Sequence, residues 1–249
     1  MADTKMTYEQ VRDQWNERAV KDTIDIGSKD PFWDSYEKRE VTDFLDACGQ
    51  NPRVLDLGAG TGRLTTFLHE QGYDVTATDY AEEAIKRLRD KHPGLPAHVL
   101  DINDLSELEG EFDSVILCRV LQSMPDLDQK KKALSKIRSK LSIDGKVLLI
   151  EGNARRLTKH PKYNFYLSLD DWKDTFNDEG FVLERASSIP TATLLGLLDG
   201  KKLSWGVRNV VPAVYRAAYA LDRVVGRINP GVISHEFAMT VRPEYGGRK

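Results

Sequence analysis

The chemistry of this chain starts from three glycines. Gly58, Gly60 and Gly62 stand at alternate positions after the apolar run Val54-Leu55-Asp56-Leu57, and a helical pattern follows through Leu64, Phe67 and Leu68. A buried strand, a tight turn and a helix are the elements this order demands. Glycine lets a ligand approach the backbone and tolerates positive φ. The helix N-terminus beyond it offers free N–H groups and the positive end of the helix dipole. Such a turn suits a nucleotide-like ligand held at the carboxyl end of a strand. The plainer alternative is a glycine turn that only starts a helix.

A second strand, 73–79, ends in Asp79, 17 residues beyond Gly62. A carboxylate at that distance can accept hydrogen bonds from both hydroxyls of a ribose. Tyr80 follows and can pack on a base. Asp79 could instead cap the helix that begins Ala81-Glu82-Glu83. A dinucleotide fingerprint requires a third glycine three residues after the second. Position 63 is Arg, and the third glycine comes after two residues, which disfavours a nicotinamide cofactor.

This spacing, with Asp56 two residues before Gly58, resembles motif I of the class I S-adenosylmethionine (SAM)-dependent methyltransferases. Phe112-Asp113-Ser114-Val115 and Val120-Leu121 resemble a later motif of the same family, with Ser123 where the family carries His. The resemblance covers about 50–151. It implies a seven-stranded, mostly parallel, doubly wound α/β sheet with SAM as cofactor and S-adenosylhomocysteine (SAH) as product. By the same resemblance the cofactor set is Asp56, Gly58, Ala59, Gly60, Thr61, Gly62, Asp79, Tyr80, Asp101, Ile102, Cys118 and Arg119. Within it, Asp101 meets the adenine amino group and the next backbone N–H meets a ring nitrogen. A plain loop-start aspartate is the other reading of Asp101.

The elements around these residues follow from periodicity. Helices are expected over 6–20 and 33–47, before the glycine turn. In the resembling family such a segment lies over the cofactor pocket and shapes the acceptor site, which makes Trp15, Arg18 and Arg39 candidates. Trp15 and Trp33 read equally as packing residues. Further strands are expected at 97–101, 112–118, 146–151, 181–186 and 234–241, and helices over 128–141 and from Ser168 to Glu179. Lys130, Lys131 and Lys132 read as a solvated helix face. The division is an N-terminal helical cover, 1–50, a Rossmann-like core, 51–187 and 233–249, and a helical insert, 188–232, between strands six and seven.

The insert is basic. From 200 to 230 it holds Lys201, Lys202, Arg208, Arg216, Arg223 and Arg227 against Asp222 alone. Arg forks suit phosphate and carboxylate. Arg208 and Arg216 are therefore candidates for an anionic acceptor such as a phosphorylated or nucleotide-linked sugar. An amphipathic helix resting on a membrane surface is a second reading, and a packed helical cap a third.

Methyl transfer from a sulfonium is an in-line displacement, so the protein supplies proximity and orientation. A hydroxyl acceptor also needs a base. His160, His235, Asp126 and Tyr163 are the candidates, and none has a motif to favour it. Cys48 and Cys118 form no metal pattern, and no metal is expected. The net charge of −3 argues against bulk nucleic-acid binding. The chain also lacks the Asn/Asp-Pro-Pro-aromatic run of base amino-group methyltransferases and the Pro-Cys pair of cytosine C5 enzymes. No signal peptide or membrane-spanning run is visible, and a cytoplasmic enzyme is the expectation. The resulting expectation is O-methylation of a small-molecule or glycan-type acceptor. A small-molecule or peptide N-methyltransferase and a non-catalytic SAM-binding module are the alternatives.

Overall fold

The computed structural model describes residues 6–21, 31–155, 157, 164–189 and 236–244. Among them a seven-stranded sheet runs β3-β2-β1-β4-β5-β7-β6. Its strands are β1 (Arg53–Leu57), β2 (Asp74–Asp79), β3 (Ala97–Val99), β4 (Phe112–Cys118), β5 (Leu141–Gly152), β6 (Phe181–Ile189) and β7 (Glu236–Pro243). The first five are parallel to one another, and β7 lies antiparallel between β5 and β6. Helices α1 (Tyr8–Val20), α2 (Pro31–Asp46), α3 (Arg63–Glu70), α4 (Glu82–Lys91), α5 (Leu127–Arg138) and α6 (Leu169–Asp178) complete it.

The central strands are apolar on both sides because both faces of the sheet are covered. Leu55, Leu57, Val115, Leu117, Val147 and Leu149 pack on one face with residues of α5 and α6. Val54, Ile116, Leu148 and Ile150 point the other way, into a core with α2, α3 and α4. This period-two alternation fixes strand register, since a slip of one residue would exchange the two faces. Burying a leucine or isoleucine side chain in either core contributes roughly 1.5–3 kcal/mol.

Both N-terminal helices form. Thr7 caps α1 in a reciprocal capping box with Gln10. The helix then crosses to α4, where Ala19 packs against Ala81 and Ala84. In contrast, α2 buries Tyr36, Val41, Phe44 and Leu45 in the core of the sheet.

Two expectations change. The stretch 142–145, between the helix expected over 128–141 and the strand expected at 146–151, lies inside β5: Phe112 pairs with Leu141 and Ser114 with Lys146, so residues 142–145 bulge out of the ladder. Gly145 allows this, because a Cβ there would stand 2.9 Å from the Phe112 carbonyl oxygen. Lys130 is not on a solvated face but fully buried. It lies three, four and seven residues before Ala133, Leu134 and Ile137, all buried on α5, and therefore shares their face. β6 reaches Ile189, two residues into the expected insert, and residues 190–232 of that insert lie outside the described residues.

Candidate functional site

A cleft opens at the carboxyl ends of β1, β2 and β4. The strand order reverses there, with β2 on one side of β1 and β4 on the other. In open parallel sheets this switch point is where ligands sit. Gly58 contributes one wall, with Asp79 at the end of β2 and Tyr80 just after it. Leu100 and Ile102 follow β3, and Val120, Ser123 and Met124 follow β4. Tyr8, Val11 and Arg12 of α1 lie across it.

The glycine turn is held by backbone bonds. Gly58 and Ala59 donate to the Thr78 carbonyl at 2.8 and 2.9 Å, and Gly62 donates to Ala59 at 3.0 Å. Thr61 continues the turn and is half-buried. Gly58 (φ 74°) and Gly62 (φ 87°) are left-handed. A Cβ on Gly58 would lie 2.5 Å from Val120 Cγ2, and one on Gly62 would collide with Leu88. Two different needs, close approach to the β4 loop and packing of α4, therefore select the same residue type.

Asp79 is tied into this turn. One carboxylate oxygen accepts from Gly60 N at 2.9 Å and the other from Ala81 N at 2.8 Å. The residue that caps α4 is Ala81, so Asp79 does not occupy the cap. A carboxylate has about four acceptor positions. The backbone takes some and leaves others for a ligand in the cleft. Burial lifts the Asp79 carboxyl above the usual range, against the pull of the Ala81, Gly60 and Tyr80 N–H groups.

Asp101, at the cleft edge, is engaged by α1. Its carboxylate accepts from the Tyr8 hydroxyl at 2.7 Å and from Asn103 N at 2.8 Å. Arg12 approaches it at 3.4 Å and sits 5.6 Å from the centre of the Tyr80 ring. Burial, together with the Asp79 charge, pushes the Tyr80 hydroxyl far above its ordinary value.

Asp56 stands behind the turn, outside the cleft lining. It is buried and accepts from Thr65 Oγ1 at 2.6 Å, and burial raises its carboxyl to about 6. Cys118 and Arg119 belong to a second polar cluster against α2. There Arg63 pairs with Asp34 at 2.6 Å and with Glu37. Arg119 pairs with the same Glu37 and with Glu236 at 2.9 Å. Cys118 Sγ lies 3.9 Å from both Glu37 and Arg63. Burial, and next the Glu37 charge, raise its thiol far above the usual thiol range. Arg119 is held at φ 60°, a conformation uncommon outside glycine.

Trp15 and Arg18 are stacked on each other at 4.2 Å and are not part of the cleft lining. Asp126 caps α5, accepting from Gln129 N at 2.8 Å, and is exposed. His160, Tyr163, His235, Arg208 and Arg216 lie outside the described residues. No metal-holding group of three or more His, Cys, Asp or Glu occurs among the described residues. No described helix is long and apolar enough to cross a membrane.

Sequence reasoning passed over Glu37, Glu236, Glu151 and Lys130. Glu151 was visible as an acid closing the apolar run Val147-Leu148-Leu149-Ile150. Lys130 was visible from its spacing to Ala133, Leu134 and Ile137. Glu37 and Glu236 carry no comparable signal, since their arginine partners are remote in sequence.

A family model described as a methyltransferase domain matches residues 54–169. An uncharacterized methyltransferase of Alkaliphilus oremlandii is 26% identical over 178 residues, covering 67% of this chain and 80% of that protein. An uncharacterized methyltransferase of Mycobacterium tuberculosis is 33% identical over 125 residues, and the chain spans only 49% of its length. Among solved structures, the 1,6-didemethyltoxoflavin-N1-methyltransferase of Burkholderia thailandensis, with SAH bound, superposes with a TM-score of 0.61. That likeness spans 96% of this chain and 89% of the other at 19% identity, and shows the fold.

Proposed function

We propose that this chain is a class I SAM-dependent methyltransferase and that it uses the cleft beside Gly58 and Asp79 to transfer a methyl group to an oxygen of a small-molecule or glycan-type acceptor. The observation that carries the cofactor reading is the Asp79 carboxylate. The glycine turn itself grips it by Gly60 N, and it lines the same cleft as Tyr80 and Ile102. A ribose diol needs a fixed acceptor of this kind. Leu100, Ile102 and Met124 offer an apolar slot for a base, with Asp101 at its edge. Two buried polar atoms of the lining, Arg12 Nε and Ser123 Oγ, have no hydrogen-bond partner among the described residues, which suits a polar ligand.

The bound sulfonium supplies an electrophilic methyl group. The chain's own residues orient it and keep water out. α1 covers the cleft through Val11 and Arg12. Arg63, at the start of α3, and Arg119, just after β4, are paired with Asp34, Glu37 and Glu236 and brace the glycine turn from the α2 side. Asp126 serves as a helix cap, so the base for a hydroxyl acceptor falls to His160, Tyr163 or His235. Arg208 and Arg216 are proposed to meet an anionic acceptor, and Trp15 and Arg18 to border it.

Transfer to nitrogen is the second reading, favoured by the likeness to an N1-methyltransferase. Calorimetric titration with SAM, SAH and NAD tests the cofactor. We expect SAM and SAH to bind, and binding of NAD alone would overturn the reading. Formation of SAH with nucleotide sugars and with amines then separates the two acceptor readings.

A further inference from the structure

The wall of the cleft opposite Asp79 is the loop after β4. Val120 lies against Gly58, and Ser123 presents a buried hydroxyl that finds no partner among the described residues. This loop is gripped from behind by a buried acid and a buried base. The two oxygens of Glu151, at the end of β5, accept separately from Leu121 N at 2.9 Å and Gln122 N at 2.8 Å. From α5, Lys130 Nζ donates to the Leu121 carbonyl and, at 3.4 Å, to that of Met124. Both side chains are fully buried. Gln122 adds a third tie, its side-chain oxygen accepting from Gly152 N at 2.9 Å.

Two buried charges are a costly way to satisfy four backbone groups, because each must be taken out of water. An apolar pair of the same volume would pack the core without that cost. What the charged pair provides is a fixed register for the loop, since it bonds both donors and acceptors of one short turn.

We propose that Glu151 and Lys130 are positioning residues for the cofactor: they hold residues 120–124 so that Val120 and the Ser123 hydroxyl meet it in one arrangement. The proposal rests on the SAM reading of the cleft. It requires Glu151 to be ionised, because a protonated carboxyl accepts strongly through one oxygen only and loses its attraction to Lys130. Burial raises the Glu151 carboxyl to about 7, against the pull of Lys130. Glu236 on β7 also raises it. Glu236 is itself paired with Arg119.

The test is SAH affinity by calorimetry on the full chain between pH 6 and 9, for the unmodified protein, Glu151→Gln and Lys130→Met. The unmodified protein should bind with constant affinity above about pH 8 and progressively more weakly below about pH 7. Glu151→Gln should bind about tenfold more weakly at pH 8, the equivalent of one lost charged hydrogen bond, with a flat profile through pH 7. Lys130→Met should weaken binding in the same direction. Unchanged affinity and an unchanged profile in Glu151→Gln would overturn the proposal. If that variant does not fold, a flat profile in the unmodified protein does the same. Amide exchange at Leu121 and Gln122, read without ligand, separates the two readings. If no SAH binds at any pH the cofactor reading fails, and the pair is then judged by whether Glu151→Gln speeds exchange at those two amides. No acceleration there would overturn it.

Discussion

Carboxylates on the two sides of the glycine turn are held in opposite ways. On the cleft side, Asp79 is fixed by the backbone N–H groups of Gly60 and Ala81. On the α2 side, Glu37 is fixed by the guanidinium groups of Arg63 and Arg119. Backbone donors orient a carboxylate without cancelling its charge, so it can still bind a ligand. Arginine forks neutralise it and take its oxygens in pairs. The first arrangement makes a site, and the second makes a joint between α2, α3, β4 and β7. The charges in the joint are mutually dependent because they are buried, and this gives the largest expected effect. Arg119→Met strands Glu37 and Glu236 without a full set of partners and should cost about 3–5 kcal/mol. Urea unfolding measures it, and a loss under 1 kcal/mol would show that the joint is not under this electrostatic tension.

Asp56 is a third kind of carboxylate, buried with the Thr65 hydroxyl as its hydrogen-bond donor. Its carboxyl sits near 6, against 3.8 ordinarily, because burial disfavours the charge. The folded state thus prefers Asp56 protonated. Its contribution is present in full below about pH 4 and is lost as pH rises through about 6. Asp56→Asn is neutral throughout. Its stability relative to the unmodified protein should rise by on the order of 2–3 kcal/mol between pH 4 and pH 7. Parallel stability curves for the two proteins would remove the argument.

Asp79→Asn sharpens the comparison from the other side. Asn keeps one acceptor for the turn and loses the charge offered to the ligand. SAH affinity should fall about tenfold or more, while unfolding free energy changes by no more than about 1 kcal/mol. A variant that lost stability and kept affinity would move Asp79 from the site to the joint.

The sequence is most legible where one short segment determines its own structure. The glycine turn, Asp79 at the end of β2 and the apolar strands could be read because their signals lie within a few residues. The period-two pattern in β1 and β4 maps directly onto the two cores. What could not be read is pairing between distant segments. Arg119 and Glu236 are 117 positions apart, and only the antiparallel placement of β7 beside β5 brings them together. Lys130 was missed for a different reason. Its neighbours Lys131 and Lys132 suggested a charged surface, although its spacing to the apolar residues of α5 placed it inside. The bulge at 142–145 escaped because a loop and an irregular strand share the same residue types. Asp101 was visible as a strand-end acid, but its bond to Tyr8 joins residues 93 positions apart.

That bond gives the smallest effect and the finest test of how α1 covers the cleft. The helix is anchored at both ends by different forces. Ala19 packs on α4 at one end, and Tyr8 donates to Asp101 at the other. Burial, and next the Asp101 bond, raise the Tyr8 hydroxyl far above its ordinary value, so it remains a donor throughout the physiological range. Tyr8→Phe removes one hydrogen bond while keeping the ring against the core, and should cost about 1 kcal/mol or less. The loss should appear locally, as faster amide exchange in the first turns of α1, with exchange near Ala19 little changed. If exchange rises equally along the whole helix, the two anchors are one cooperative unit. Asp101 would then hold the entire cover, and a ligand that engaged Asp101 would have to move α1 as a body.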